Sequence, residues 1–99
     1  MARKRVISVA ETAMADPEAI RAWYLERGVP DVGERLLHEI VGAIERLGDF
    51  PESGRIVPEF RVPALREVIH PPFRIVYRLG KDRVRIVRVW RSERLLRMP

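Results

Sequence analysis

Residues 65–94, LREVIHPPFRIVYRLGKDRVRIVRVWRSER, constrain the fold more than any other part of the chain. A strand sends successive side chains to opposite faces. Within this stretch Val, Ile, Phe and Tyr interleave with Arg66, Arg74, Arg78, Arg85, Arg88, Arg91 and Arg94. The pattern predicts strands at residues 64–70, 73–79 and 83–91, with one apolar face and one lined by guanidinium groups. Pro71-Pro72 supplies fixed φ for the first turn, and Gly80-Lys81-Asp82 supplies permissive φ for the second. Such a basic face suits an anionic ligand or an acidic partner.

The first half reads as a strand followed by two helices. Residues 5–10 are short and β-branched, as a strand requires. Asp16 is expected to cap a helix that has Pro17 in its first turn, Ala19, Ile20, Trp23 and Tyr24 on its apolar stripe, and Gly28 just past its end. After Pro30, Asp31 and Glu34 form a D-x-x-E capping pattern. Leu36, Leu37, Ile40, Val41, Ile44 and Leu47 then recur at intervals of three and four, predicting a second, strongly amphipathic helix that Gly48 and Pro51 stop. The helices should form an antiparallel hairpin. Residues 50–63 read as a loop with a short strand at 55–57. The order β-α-α-β-β-β predicts an α+β fold, a helical hairpin packed on one face of a small, mainly antiparallel twisted sheet.

Size allows one domain spanning residues 1–99 and no second core. There is no cysteine, so disulfides and thiolate metal sites are excluded and a reducing compartment is the natural setting. No apolar run reaches the roughly 20 residues of a membrane span, and the basic N-terminal segment lacks the apolar core of a signal peptide. A soluble, cytoplasmic protein without membrane contacts is expected. Residues 1–50 hold seven Lys or Arg against nine Asp or Glu, whereas residues 51–99 hold twelve against five. Compositional bias explains why 17 of 19 basic residues are Arg. It does not explain their crowding into one half, which favours nucleic acid or an acidic protein partner.

In the strand at 73–79, Phe73, Ile75, Tyr77 and Leu79 should lie under the helices. Arg74, Val76 and Arg78 should lie on the other side, left open. In the last strand Val84, Ile86, Arg88 and Trp90 oppose Arg85, Val87, Val89 and Arg91, a poor alternation that suits a central strand. Register, and with it the set of arginines sharing a face, is not fixed by the pattern. An open, partly apolar, arginine-rich face is a docking surface.

Catalytic chemistry has few candidates. His38 falls beside Leu37 on the long helix and reads as a boundary residue. His70, at a strand end, is a candidate general base or phosphate donor, weighed against a plain turn residue. No His or Cys spacing suggests a metal, glycines do not cluster into a phosphate loop, and no cofactor is implied. Glu67 reads as a strand-surface charge. Arginine remains: a guanidinium binds phosphate bidentately and stabilises charge in phosphoryl transfer, or pairs with an acidic segment.

Pro51-Glu52-Ser53-Gly54-Arg55, Leu65-Arg66-Glu67, the run Phe73-Arg74-Ile75-Val76-Tyr77-Arg78 and the closing Ile86-Val87-Arg88-Val89-Trp90 with Arg94 give the chain a family likeness. It resembles the RelE/ParE superfamily of toxins from type II toxin–antitoxin modules, often labelled plasmid-stabilisation proteins. The resemblance runs over essentially the whole chain. It implies one of two activities: ribosome-dependent mRNA cleavage by RelE-like members, or poisoning of DNA gyrase by ParE-like members, which are not known as nucleases.

If the chain is RelE-like, Arg74 matches the arginine of the aromatic-R-L-V-Y strand, and the catalytic set would draw on Arg74, Arg66, His70, Arg91 and Arg94. Many relatives close with V-x-H-x-x-R, but here Arg91 replaces the histidine, and no tyrosine follows Tyr77. Arginine is a poor base at neutral pH, so the ParE-like branch is favoured. A third reading is a non-toxic remnant that still binds antitoxin. The resemblance implies a cognate antitoxin whose acidic C-terminal segment covers the toxin in a hetero-oligomer, and Arg74, Val76, Arg78, Arg85, Trp90, Arg91 and Leu95 are the expected contact residues for the antitoxin or the target. The target is gyrase in one branch and ribosome-bound mRNA in the other.

Overall fold

The structure, a computed structural model, describes residues 4–91. Arg94 and Leu95 lie outside the described residues. Strand β1 is Val6–Val9, followed by a one-turn helix α1 at Glu11–Met14, then α2 at Asp16–Glu26 and α3 at Pro30–Arg46. Strands β2 (Arg55–Ile56), β3 (Leu65–His70), β4 (Phe73–Leu79) and β5 (Arg83–Arg91) complete the described residues. They form a five-stranded sheet in the order β1-β5-β4-β3-β2. Only the β1–β5 pairing is parallel.

The helices form where periodicity and Pro signals put them, but their starts differ from the capping prediction. Ala15, in αR geometry, caps α2, because α1 runs almost directly into it. Asp16 is therefore the first residue inside the helix, and its carboxylate is free to bond β5 instead. Val29 caps α3, with Pro30 in the first turn. Pro lacks the N–H that an internal position needs, so the helix starts one residue before Asp31, and Glu34 instead accepts from Arg21 Nε at 2.7 Å. Gly28 stands just past α2 with φ of 74°, in the left-handed region that only Gly enters cheaply.

The helical hairpin packs on one sheet face. Ile20, Tyr24, Leu36, Leu37, Ile40, Ala43 and Leu47 meet Phe73, Ile75, Tyr77, Val84, Ile86 and Val89 in a single buried cluster. Its last three members explain the poor alternation of β5. Val76 pairs with Arg88 but Tyr77 pairs with Ile86, which leaves Val87 as one extra residue in β5. A bulge of this kind reverses the parity of everything beyond it. Val84, Ile86 and Val89 thus all face the helices, and Arg88 and Trp90 take the opposite side. The grouping of Val84 and Ile86 with Arg88 and Trp90 is corrected accordingly.

The opposite face is not bare. Between β2 and β3 the chain folds back over it, anchored by buried Val57, whose N–H donates to Leu65 O at 3.0 Å. Val76 and Arg74 are consequently buried, at 7% and 5% exposure, rather than open. Alternation alone could not foresee a cover formed by the loop at residues 57–64.

Candidate interaction site

Strand register sorts the arginines into groups. On the outer face Arg74 lies opposite Trp90 and Ile69, Val76 opposite Arg88 and Glu67, and Arg78 opposite Arg85 and Leu65. On the helix face Arg66 lies opposite Tyr77, while Phe73 separates His70 from Arg91.

Arg74 sits in an alternating chain of charges. Its Nη1 and Nη2 donate to the two carboxylate oxygens of Glu59 at 3.0 and 2.9 Å. Its Nε donates to Glu67 Oε1, and Glu67 Oε2 accepts from Arg55 Nε at 2.6 Å. The Glu67 side chain is wholly buried, which corrects the expectation of a surface charge. Two arginines make that burial tolerable, since an unpaired buried carboxylate is costly. Bonding to Glu59 above all, with Glu67 adding to it, raises the Arg74 pKa. Arg74 in turn holds the Glu59 carboxyl below the usual carboxylate range, against an opposing push from burial. A carboxyl depressed in the folded state contributes stability above its unfolded pKa, and that contribution is lost as pH falls through the folded value.

Arg88 is paired as well. Its Nε and Nη2 donate to Asp16 Oδ2 and Oδ1, both at 3.0 Å, and the Val89 N–H donates to Asp16 Oδ2 at 2.7 Å. Asp16 thus ties the first turn of α2 to the far side of the β5 bulge. Replacing Asp16 with alanine removes three bonds, two of them between charged groups, and leaves the Val89 N–H unpaired. A loss of about 2–3 kcal/mol is expected from urea unfolding, with secondary structure unchanged by circular dichroism.

Arg78, Arg83 and Arg85 differ. All three are exposed, and none has a carboxylate partner among the described residues. Arg78 and Arg85 are direct cross-strand neighbours, an arrangement that like charges disfavour. On the outer face, the exposed charge without a carboxylate partner therefore lies near the β4–β5 turn, away from Arg74. Beside it runs a groove lined by Val57, Phe60, Leu65, Val76, Val87 and Trp90, with Arg74, Arg78 and Arg88 along its walls.

The residues expected to share a catalytic site do not converge. Arg66, on the helix face, donates to Pro63 O and Gly54 O at 2.9 and 3.3 Å. His70 Nε2 lies 2.9 Å from Glu39 Oε1 of α3, and this bond is the main cause of a lowered Glu39 pKa. Arg91 stacks its guanidinium 3.9 Å from the Trp23 ring centroid and donates to Tyr24 Oη at 3.0 Å. Among the described members of this set, Arg74 alone is on the outer face. Of the expected contact residues, Arg74, Val76, Arg78, Arg85 and Trp90 do share that face, whereas Arg91 does not. The residues that sequence reasoning missed are acids: Glu59, Glu67 and Asp16. Glu67 shares a strand face with Leu65 and Ile69, and these apolar neighbours are the one sequence signal that it points into a covered face. Among the described residues no cluster of His, Cys, Asp or Glu could hold a metal, and no helix is long and apolar enough to cross a membrane.

The P-x-x-G-R turn proves to be a clamp on the core tyrosine. Tyr77 Oη accepts from the Gly54 N–H at 3.0 Å and donates to Pro51 O at 2.6 Å. Burial raises the Tyr77 pKa, so the hydroxyl keeps its proton for this bond.

Together these features describe a small α+β domain whose Arg74 and Arg88 are neutralised by internal carboxylates, with a grooved outer face and exposed positive charge at one corner of it. Residues 7–96 match the family described as the ParE toxin of the type II toxin-antitoxin system, parDE. The chain belongs to this family, and membership implies an antitoxin partner. A solved structure described as the chromosomal ParDE TA system from P. aeruginosa shares the fold, with a TM-score of 0.75 at 23% identity over 91% of this chain and 98% of that one. No curated protein matches.

Proposed function

We propose that this protein is the toxin of its module, that it arrests growth by binding DNA gyrase, and that a cognate antitoxin with an acidic C-terminal segment silences it in a hetero-oligomer in the cytoplasm. The observation that carries this reading is the neutralisation of Arg74. Its guanidinium is occupied on both edges by Glu59 and Glu67, and His70, the candidate base, belongs to the opposite sheet face. Phosphoryl transfer needs an accessible cation and a proton acceptor within reach of one substrate. A poison that acts by docking needs neither. Arg78, Arg83 and Arg85 supply long-range attraction to an acidic surface, and the groove beside them supplies apolar burial.

The reading is tested by adding purified protein to gyrase and relaxed plasmid, with mRNA-programmed ribosomes as a parallel reaction. Loss of supercoiling with intact mRNA is expected. Cleaved mRNA with gyrase unaffected would transfer the function to the ribonuclease branch. No effect on either, and no arrest of growth on expression, would leave an antitoxin-binding remnant.

A further inference from the structure

The loop at residues 57–64 crosses the outer face as a strap. Val57 pins one end, and at the tip Glu59 makes the bidentate pair with Arg74. The rest of the tip is exposed. Phe60 and Val62 are 46% and 42% exposed, and Arg61 has φ of 54°, a left-handed conformation unfavourable for a residue with a side chain. Beneath the strap lies the apolar groove, with Arg74 in its wall. Trp90, the cross-strand neighbour of Arg74, lines the same groove and has a buried indole N–H with no acceptor. A buried donor without a partner marks a place where an acceptor is missing.

Charge balance identifies what fits. With Glu59 removed, Arg55, Glu67 and Arg74 would sum to one positive charge, which a single carboxylate neutralises and a phosphate dianion overshoots. A planar carboxylate also matches the guanidinium fork, as Glu59 itself demonstrates. We infer that the Arg74 fork is an exchangeable carboxylate site, filled by Glu59 in the free protein and by an acidic side chain of the antitoxin in the complex, with the strap lifting as the partner docks. This inference rests on the antitoxin reading above. Glu59 then acts as an internal competitor, and an intramolecular group competes at an effective concentration of about millimolar or higher.

The test is calorimetric titration of the wild type, Glu59→Gln and Glu59→Ala with a synthetic peptide of alternating Glu and Leu, and separately with inorganic phosphate. Both variants should bind the peptide roughly tenfold or more tightly than the wild type, with phosphate binding unchanged. Hydrogen exchange on the wild type gives an independent readout. The Val57 amide, which donates to Leu65 O and ties the strap to β3, should exchange faster once the peptide is bound. Equal or weaker peptide binding by folded variants, with the Val57 amide still protected, overturns the exchange and leaves the antitoxin reading standing. Absence of peptide binding by all three proteins removes the exchangeable site and the acidic-segment reading together, while the antitoxin partner implied by family membership stands. Tightened binding of phosphate alone overturns the assignment to a carboxylate.

Discussion

Replacing Glu67 with alanine is expected to destabilise the domain by about 3–5 kcal/mol, the usual cost of breaking a buried ion pair from one side. Arg74 would be left with one of its two acidic partners, and Arg55 with none of the contact it makes now. For a chain of this size that loss corresponds to a drop in melting temperature of roughly 12–40 °C, read by calorimetry. The concerted replacement Glu67→Leu with Arg74→Met should recover most of it, because an apolar pair of similar volume dispenses with both desolvation costs. If Glu67→Ala melts within a few degrees of the wild type, the charge network does not hold the sheet face together as argued.

Gly54→Ala is expected to cost about 3 kcal/mol or more in urea unfolding, at the upper end of overpacking effects. A Cβ at Gly54 would stand 2.6 Å from Tyr77 Oη and 2.7 Å from Glu67 O. Neither atom can yield freely, since one is fixed by two hydrogen bonds and the other is backbone. Tyr77→Phe alone should cost about 1–3 kcal/mol by leaving the Gly54 N–H and Pro51 C=O unpaired. Combined with Gly54→Ala it removes one of the clashing atoms, so the double variant should be less damaged than the two losses added together. Strict additivity would mean that the turn and the tyrosine are not coupled through this contact.

The strands, their turns and the helical hairpin were legible because each rests on a local signal, alternation in one case and a three-to-four repeat in the other. The β5 faces were not, since a single extra residue at Val87 reverses parity without any glycine or proline to announce it. The helix caps failed for a related reason. Asp16 and Glu34 carry good capping chemistry, but α1 and Pro30 moved the helix starts to Ala15 and Val29, and the freed carboxylates paired with Arg88 and Arg21. The site was legible as a cluster of residue types and illegible as an arrangement. Arg74, Arg78, Arg85 and Trp90 do share a face, yet which arginines keep their charge depends on acids distant in sequence, such as Asp16 at a separation of 72 residues from Arg88. No spacing rule reports that distance.

The distinction between consumed and free arginines is the centre of this account, and one measurement reaches it directly. The proposed gyrase inhibition should be compared between the wild type and Arg78→Glu/Arg85→Glu, with melting temperature recorded for both. Loss of inhibition in a variant that melts no lower than the wild type is predicted, because the unfavourable cross-strand arginine pair carries the free charge and holds no part of the fold. Full inhibition by that folded variant would contradict the account.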